Sequence, residues 1–209
     1  KDAQETRIKR GHMTLMKHRD TALYSGVMLM GSSEVADNVR TAYTDGVNKK
    51  YGRKFLESIA DESKVRGLIL HENLHVALKQ VAHGRSMFND NPKLANLAAD
   101  FVVNDVIVNI TATLPNSRER LVELPDGGFY DPMFHNWSMR QVFNYLKKNC
   151  KDKNSEKDGK FEVNSKTYDL SNGDEHDFPT EGDTKDINDK VVRSSEQLKP
   201  CSCGGKAIG

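Results

Sequence analysis

The sequence predicts an α+β fold, mainly helical with a small antiparallel sheet, in which a helix carrying two histidines packs against a second, apolar helix. Three observations predict it. Apolar residues recur at helical spacing over 64–82, a nearly continuous apolar stretch fills 93–110, and short Gly-bounded runs around the turn signal Asp45-Gly46 mark strands.

The elements follow in order. Residues 5–20 are basic and read as a helix, with Ile8, Met13, Leu15 and Met16 as its apolar positions. Tyr24 to Gly31 is short, apolar and bounded by glycine, which reads as a strand. A second strand is expected near 39–44, and 47–51 continues it as a hairpin through Asp45-Gly46. A helix starts near Asp61, and Val65, Leu68, Ile69, Leu74, Leu78 and Val81 carry its amphipathic period toward a stop at Gly84. Asn91-Pro92 then opens a second long helix, because proline suits a first helical turn. Leu94, Leu97, Phe101, Val103 and Ile107 make that helix apolar enough to be core. Residues 114–136 are loop-like, with Pro115, Pro125, Asp126-Gly127-Gly128 and Asp131-Pro132. Ser138 and Gln141 form a capping box that opens a short helix through Leu146. From Cys150 the chain turns polar, with a short strand pair at 161–163 and 167–170. The expected organisation is a domain over 1–149 and a polar, largely flexible extension over 150–209.

Composition narrows the function. The 31 Lys and Arg nearly cancel 30 Asp and Glu, so net charge supplies no bulk attraction to nucleic acid or an anionic membrane. The basic stretches Arg7-Ile8-Lys9-Arg10 and Lys17-His18-Arg19 read as a solvated helix face. No basic segment followed by an apolar run stands at the N-terminus, and no apolar window approaching a membrane span is expected. Cys150, Cys201 and Cys203 are an odd number outside the globular part, which speaks against a disulfide framework. The expected setting is the cytoplasm, without nucleic-acid or membrane partners.

His71-Glu72-Asn73-Leu74-His75 carries the chemistry. Histidines at i and i+4 project from one helix face a turn apart, so both imidazoles can bind one ion. Glu72 lies beside them, where it can take a proton from activated water. A catalytic zinc needs three protein ligands and an open position. His83 follows His75 by eight residues, about 12 Å along a continuous helix, so it reads as a helix C-terminal residue. Asp100 is the better third ligand: it interrupts an apolar run, and a buried carboxylate requires a partner. Asn96, Asp100 and Asn104 form a polar stripe, suiting a ligand flanked by amides. The competing reading is a buried structural Asp100 bonded to backbone or arginine, and Glu123, Asp105 and Asp177 are the other acidic candidates.

These residues resemble a family, the metallopeptidase domain often found N-terminal to a von Willebrand A-like domain in bacteria and phages. The resemblance covers about 7–146 and rests on Tyr43-Thr44-Asp45-Gly46, on Leu70 to Leu78 around the histidine pair, and on Asn96 to Asn104. It implies a zincin-like fold, with His71, His75 and Asp100 as metal ligands and Glu72 as the catalytic acid/base. Asp174-Glu175-His176 matches an Asp-x-His triplet of the family, which implies that His176 returns to the active site. The chain departs from the family pattern at its C-terminal end, where no von Willebrand-like domain follows.

The resulting expectation is a zinc-dependent metallopeptidase with one zinc ion, acting on a peptide or protein substrate in a bacterial cell, encoded by the bacterium or a phage. Glu72 would be the general base, and His176, His135 or Tyr130 would steady the oxyanion. The alternative is a non-catalytic, metal-stabilised binding or adaptor protein, whose coordination would be closed by a further protein ligand. The Cys201-Ser202-Cys203 tail has too few ligands for a zinc site of its own.

Overall fold

Asp2 starts the first helix, α1 (Ala3–Lys17), by accepting hydrogen bonds from the Gln4 and Glu5 amides at 2.9 and 3.3 Å. The structure, a computed structural model, describes residues 2–112, 120–149, 160–163 and 166–169. All of these fall within one compact unit, Lys1–Phe178.

After a 3₁₀ turn at Ala22–Tyr24 comes α2 (Ser25–Met28), where the sequence pattern predicted a strand. A short apolar run does not by itself distinguish the two states. Here only Met28 is buried while Leu29 is 73% exposed, so no alternating face exists to pair in a sheet. The first strand lies later, at β1 (Ser33–Ala36), followed by β2 (Ala42–Thr44) and β3 (Lys49–Gly52). The hairpin of β2 and β3 is antiparallel as expected, with Ala42 opposite Tyr51 and Thr44 opposite Lys49. Its turn is held by Asp45 Oδ1, which accepts from the Val47 and Asn48 amides, and by Gly46 at φ +94°. The sheet is nevertheless mixed, because β1 pairs parallel to β3 and the strand order is β1-β3-β2. Its third strand is thus recruited from a segment whose sequence shows no strand pattern.

A short helix, α3 (Arg53–Ser58), leads to α4 (Glu62–Ala77), the centre of the fold. The spacing suggests an amphipathic helix, but α4 is buried on all sides from Val65 to Val76, between α1, the sheet and the long helix α7 (Pro92–Ala112). Every polar group it carries inward must therefore find a partner inside the protein. Arg66 does so through the Leu121 and Arg120 carbonyls, at 2.6 and 3.0 Å.

The helix does not run on to Gly84. It ends at Ala77 with Leu78 as its cap, and Lys79 takes a left-handed conformation at φ 51°, ψ 36° before α5 (Gln80–His83) and α6 (Arg85–Asp90). Next comes α7 (Pro92–Ala112), with proline in its first turn and the Asn91 side chain accepting from the Leu94 amide at 3.1 Å. This helix is long and apolar enough to cross a membrane by composition, contrary to the sequence expectation, yet 61% of the qualifying window is buried against protein. Its burial against α4, α6 and the later helix α8 (Met139–Asn149) accounts for the apolar surface.

The chain from 120 to 138 is irregular apart from a 3₁₀ turn at Pro132–Phe134. The capping box forms as expected: Gln141 Oε1 accepts from the Ser138 amide and Ser138 Oγ from the Gln141 amide, opening α8 (Met139–Asn149). The expected strand pair is β4 (Lys160–Val163) with β5 (Lys166–Asp169), antiparallel. Tyr168 docks edge-on to Phe101 at 5.2 Å, so part of the segment after 149 packs on the core. Cys150, His176, Asp177, Cys201 and Cys203 lie outside the described residues.

Two apolar clusters result. One gathers α1, the sheet, α4 and the later half of α7; the other gathers α6, the earlier half of α7 and α8. Asp100, on the middle turns of α7, lies where the two meet.

Candidate metal centre

Three side chains converge between α4 and α7. His71 and His75 stack edge-on with ring centroids 4.6 Å apart, and their Nε2 atoms approach to 2.9 Å. Asp100 Oδ1 lies 3.6 Å from His71 Nε2 and 3.5 Å from His75 Nε2. All three residues are buried, and their ligand-capable atoms lie within 4.8 Å of one another.

The other ring nitrogens explain which atoms face this point. His71 Nδ1 is 2.8 Å from Asn104 Oδ1, and Asn104 is oriented by donating from Nδ2 to the Phe129 carbonyl at 2.8 Å. His75 Nδ1 is 2.5 Å from Gln80 Oε1, and Gln80 donates in turn from Nε2 to the Ala99 carbonyl at 3.4 Å. An amide oxygen only accepts, so each Nδ1 carries a proton and Nε2 is the nitrogen that each ring turns inward. Two imidazole Nε2 atoms and a carboxylate oxygen thus point at one buried spot. That donor set fits a cation, and the outer amides are the partners that orient ligating histidines. The histidine pair and Asp100 are brought together as the sequence reading expected, and Asn104 takes the flanking position foreseen for the polar stripe. Asn96, one turn earlier, does not: its buried Oδ1 accepts no hydrogen bond among the described residues.

A cavity of about 30 Å³ opens onto His71 and Asp100. Its walls include Phe55, Asn104 and the loop from Pro125 to Phe129. A space of this size holds water-sized groups. Glu72 is fully buried on the neighbouring face of α4 and does not line this cavity. Its charge acts instead on Lys49 and Tyr51 of β3. Burial pushes the Lys49 ammonium down to about 8, against the pull of Asp45 and Glu72. Burial also pushes the Tyr51 phenol well above its ordinary value, and the Glu72 charge adds to that rise. Lys49 Nζ donates to the carbonyls of Val27, Met30 and Val47 at 3.4, 2.5 and 3.2 Å.

The other sequence candidates go elsewhere. His83 is exposed at the end of α5. Glu123 accepts from Ser63 Oγ and from Arg120. Asp105 is paired with His135, whose Nδ1 is 3.1 Å from both carboxylate oxygens. Neither His135 nor Tyr130 lines the cavity.

Sequence reasoning missed Gln80 and Lys49. Gln80 sits five residues past His75, a spacing that brings the two together only because the helix breaks at Lys79. Lys49 falls within the expected hairpin segment 47–51, and only the fold shows it fully buried.

Comparison with curated proteins and with solved structures returns no significant match. A family model described as "Putative metallopeptidase domain" matches residues 4–201 of the 209, and the chain belongs to that family.

Proposed function

We propose that this protein is a zinc-dependent metallopeptidase in which His71 and His75, through Nε2, and Asp100, through a carboxylate oxygen, hold one ion. The observation that carries the reading is the convergence of these three donors, each histidine oriented by an amide oxygen at its outer nitrogen. Two imidazoles with one carboxylate suit zinc better than hard cations, which prefer all-oxygen sites. When bound, zinc supplies Lewis acidity, bringing the ionisation of water near neutrality and polarising a carbonyl.

The chain's residues supply the rest. Asn104 and Gln80 keep the histidines in the tautomer that presents Nε2 inward. Glu72, the residue after His71, is the proposed general base, accepting a proton from the attacking water and passing it to the leaving amine; because it lies outside the cavity, this role requires its surroundings to shift when substrate binds. His176 is proposed, from the family resemblance, as a further donor to the developing oxyanion. The substrate class would be peptides or proteins, and the cytoplasm the proposed location.

Burial of all three ligands and the small size of the cavity favour a second reading, a metal-stabilised adaptor without turnover. One set of measurements separates the two. Protein purified without chelator or His tag is expected to carry about one zinc per chain by elemental analysis, and Asp100→Ala to lose most of it. Glu72→Gln is expected to keep zinc while peptide hydrolysis falls by about 10²–10⁴-fold. Unchanged hydrolysis in Glu72→Gln would remove the base assignment. Zinc without any hydrolysis in the wild type would favour the adaptor, and no zinc even after add-back would end both readings.

A further inference from the structure

We infer that Gln80 is a positioning residue for the metal centre, holding His75 in its metal-binding tautomer and tying it to the backbone beside Asp100. The inference rests on the metal-site reading above and deepens it.

On an unbroken helix, residue 80 would lie about 7.5 Å beyond His75 along the axis and about 140° around it, out of reach of the imidazole. The left-handed Lys79 folds the chain back so that Gln80, 4% exposed, brings Oε1 to 2.5 Å from His75 Nδ1. A residue with a side chain rarely adopts that conformation, and such strain is kept where surrounding structure requires it. The other end of the same amide donates to the carbonyl of Ala99, the residue immediately before Asp100. One side chain therefore spans from a ligand on α4 to the backbone beside the ligand on α7. Asn104 performs the matching task for His71 and links it to the Phe129 carbonyl in the cavity wall. The two amides together place a proton on each Nδ1 and turn each Nε2 toward the shared point.

The test uses the full chain in wild-type, Gln80→Met and Gln80→Glu forms. Methionine keeps the approximate length but removes the acceptor; glutamate keeps an acceptor at the same place. Zinc affinity, read by competition with a chromogenic chelator, is expected to fall by about 10–100-fold in Gln80→Met and by less in Gln80→Glu, which keeps the acceptor for His75 but loses the donor to the Ala99 carbonyl. Equal affinity in all three would overturn the role of Gln80 while leaving the metal site intact. A second measurement needs no variant and no metal: the imidazole nitrogen shifts of zinc-free wild type. His75 is expected to be protonated at Nδ1, and a proton on Nε2 alone would overturn the inference even if Gln80→Met proved unable to fold. If wild type takes up no zinc yet His75 shows the Nδ1 proton, the metal reading fails and the positioning by Gln80 stands.

Discussion

Gly67→Ala sets two well-defined effects against each other. In an ordinary exposed helix the change would add about 1 kcal/mol of stability through helix propensity. At this position, on α4, a new Cβ would stand 1.8 Å from the Glu123 carbonyl oxygen, where real Cβ contacts stay beyond 3.0 Å. The obstacle is backbone, not a flexible side-chain end, and that backbone is tied down. The Glu123 amide donates to the Ser63 carbonyl at 3.1 Å, Ser63 Oγ donates to Glu123 Oε2 at 2.8 Å, and Arg66 holds the Leu121 carbonyl at 2.6 Å. Retreat of the segment would break or stretch two of these bonds, at about 1 kcal/mol each. Strain in the well-packed neighbourhood adds about 1–3 kcal/mol. After subtracting the propensity gain, the expected destabilisation is about 3 kcal/mol. Urea denaturation followed by circular dichroism reads it as a lowered midpoint with an unchanged slope. Gly11→Ala is the matched control: the close contact of its Cβ would be with Ile69 Cδ1, the tip of a side chain, at 2.4 Å. Repacking strain of about 1–3 kcal/mol, offset by about 1 kcal/mol of helix propensity and with no backbone bond broken, should leave it less destabilised than Gly67→Ala. If Gly67→Ala proved as stable as wild type, the close approach of residues 121–124 to α4 would be wrong. The cavity wall that this segment leads into would then be wrong with it.

Three further outcomes follow from other contacts. Lys49 has a folded-state pKa of about 8 against an ordinary 10.5, so between those values the unfolded chain binds the extra proton and stability rises with pH. That rise, at most about 1.4 kcal/mol per pH unit, should vanish in Lys49→Met when denaturation midpoints are compared across pH 7.5 to pH 10. Phe101, 1% exposed and packed on Phe134 and Tyr168 at 4.7 and 5.2 Å, should cost about 3–5 kcal/mol when changed to alanine. The same change should speed proteolysis of the β4–β5 hairpin, and unaltered cleavage there would contradict its docking on Phe101. Ser138→Ala removes one half of the capping box and should lower thermal stability by about 1 kcal/mol, and no change would show that the cap contributes nothing.

The features legible from the residues alone are local. The i, i+4 spacing of His71 and His75 places both on one helix face whatever the rest of the chain does. Asp100 and Asn104 stand out because a polar stripe in an apolar helix requires buried partners, and the capping box at Ser138 is complete within four residues. The tertiary structure decided what depends on distant segments. It placed Asp100 Oδ1 at 3.5 and 3.6 Å from the two histidines. It brought Gln80 back to His75 by breaking the helix at Lys79, and paired β1 parallel to β3 across intervening chain. It also buried Lys49 under carbonyls from Val27 and Met30, and turned residues 25–28 into a helix. The physical reason is the same in each case. Periodicity records which face of an element is apolar, but the partner of a buried polar group lies far away in the chain. Which partner that is becomes defined only when the elements pack.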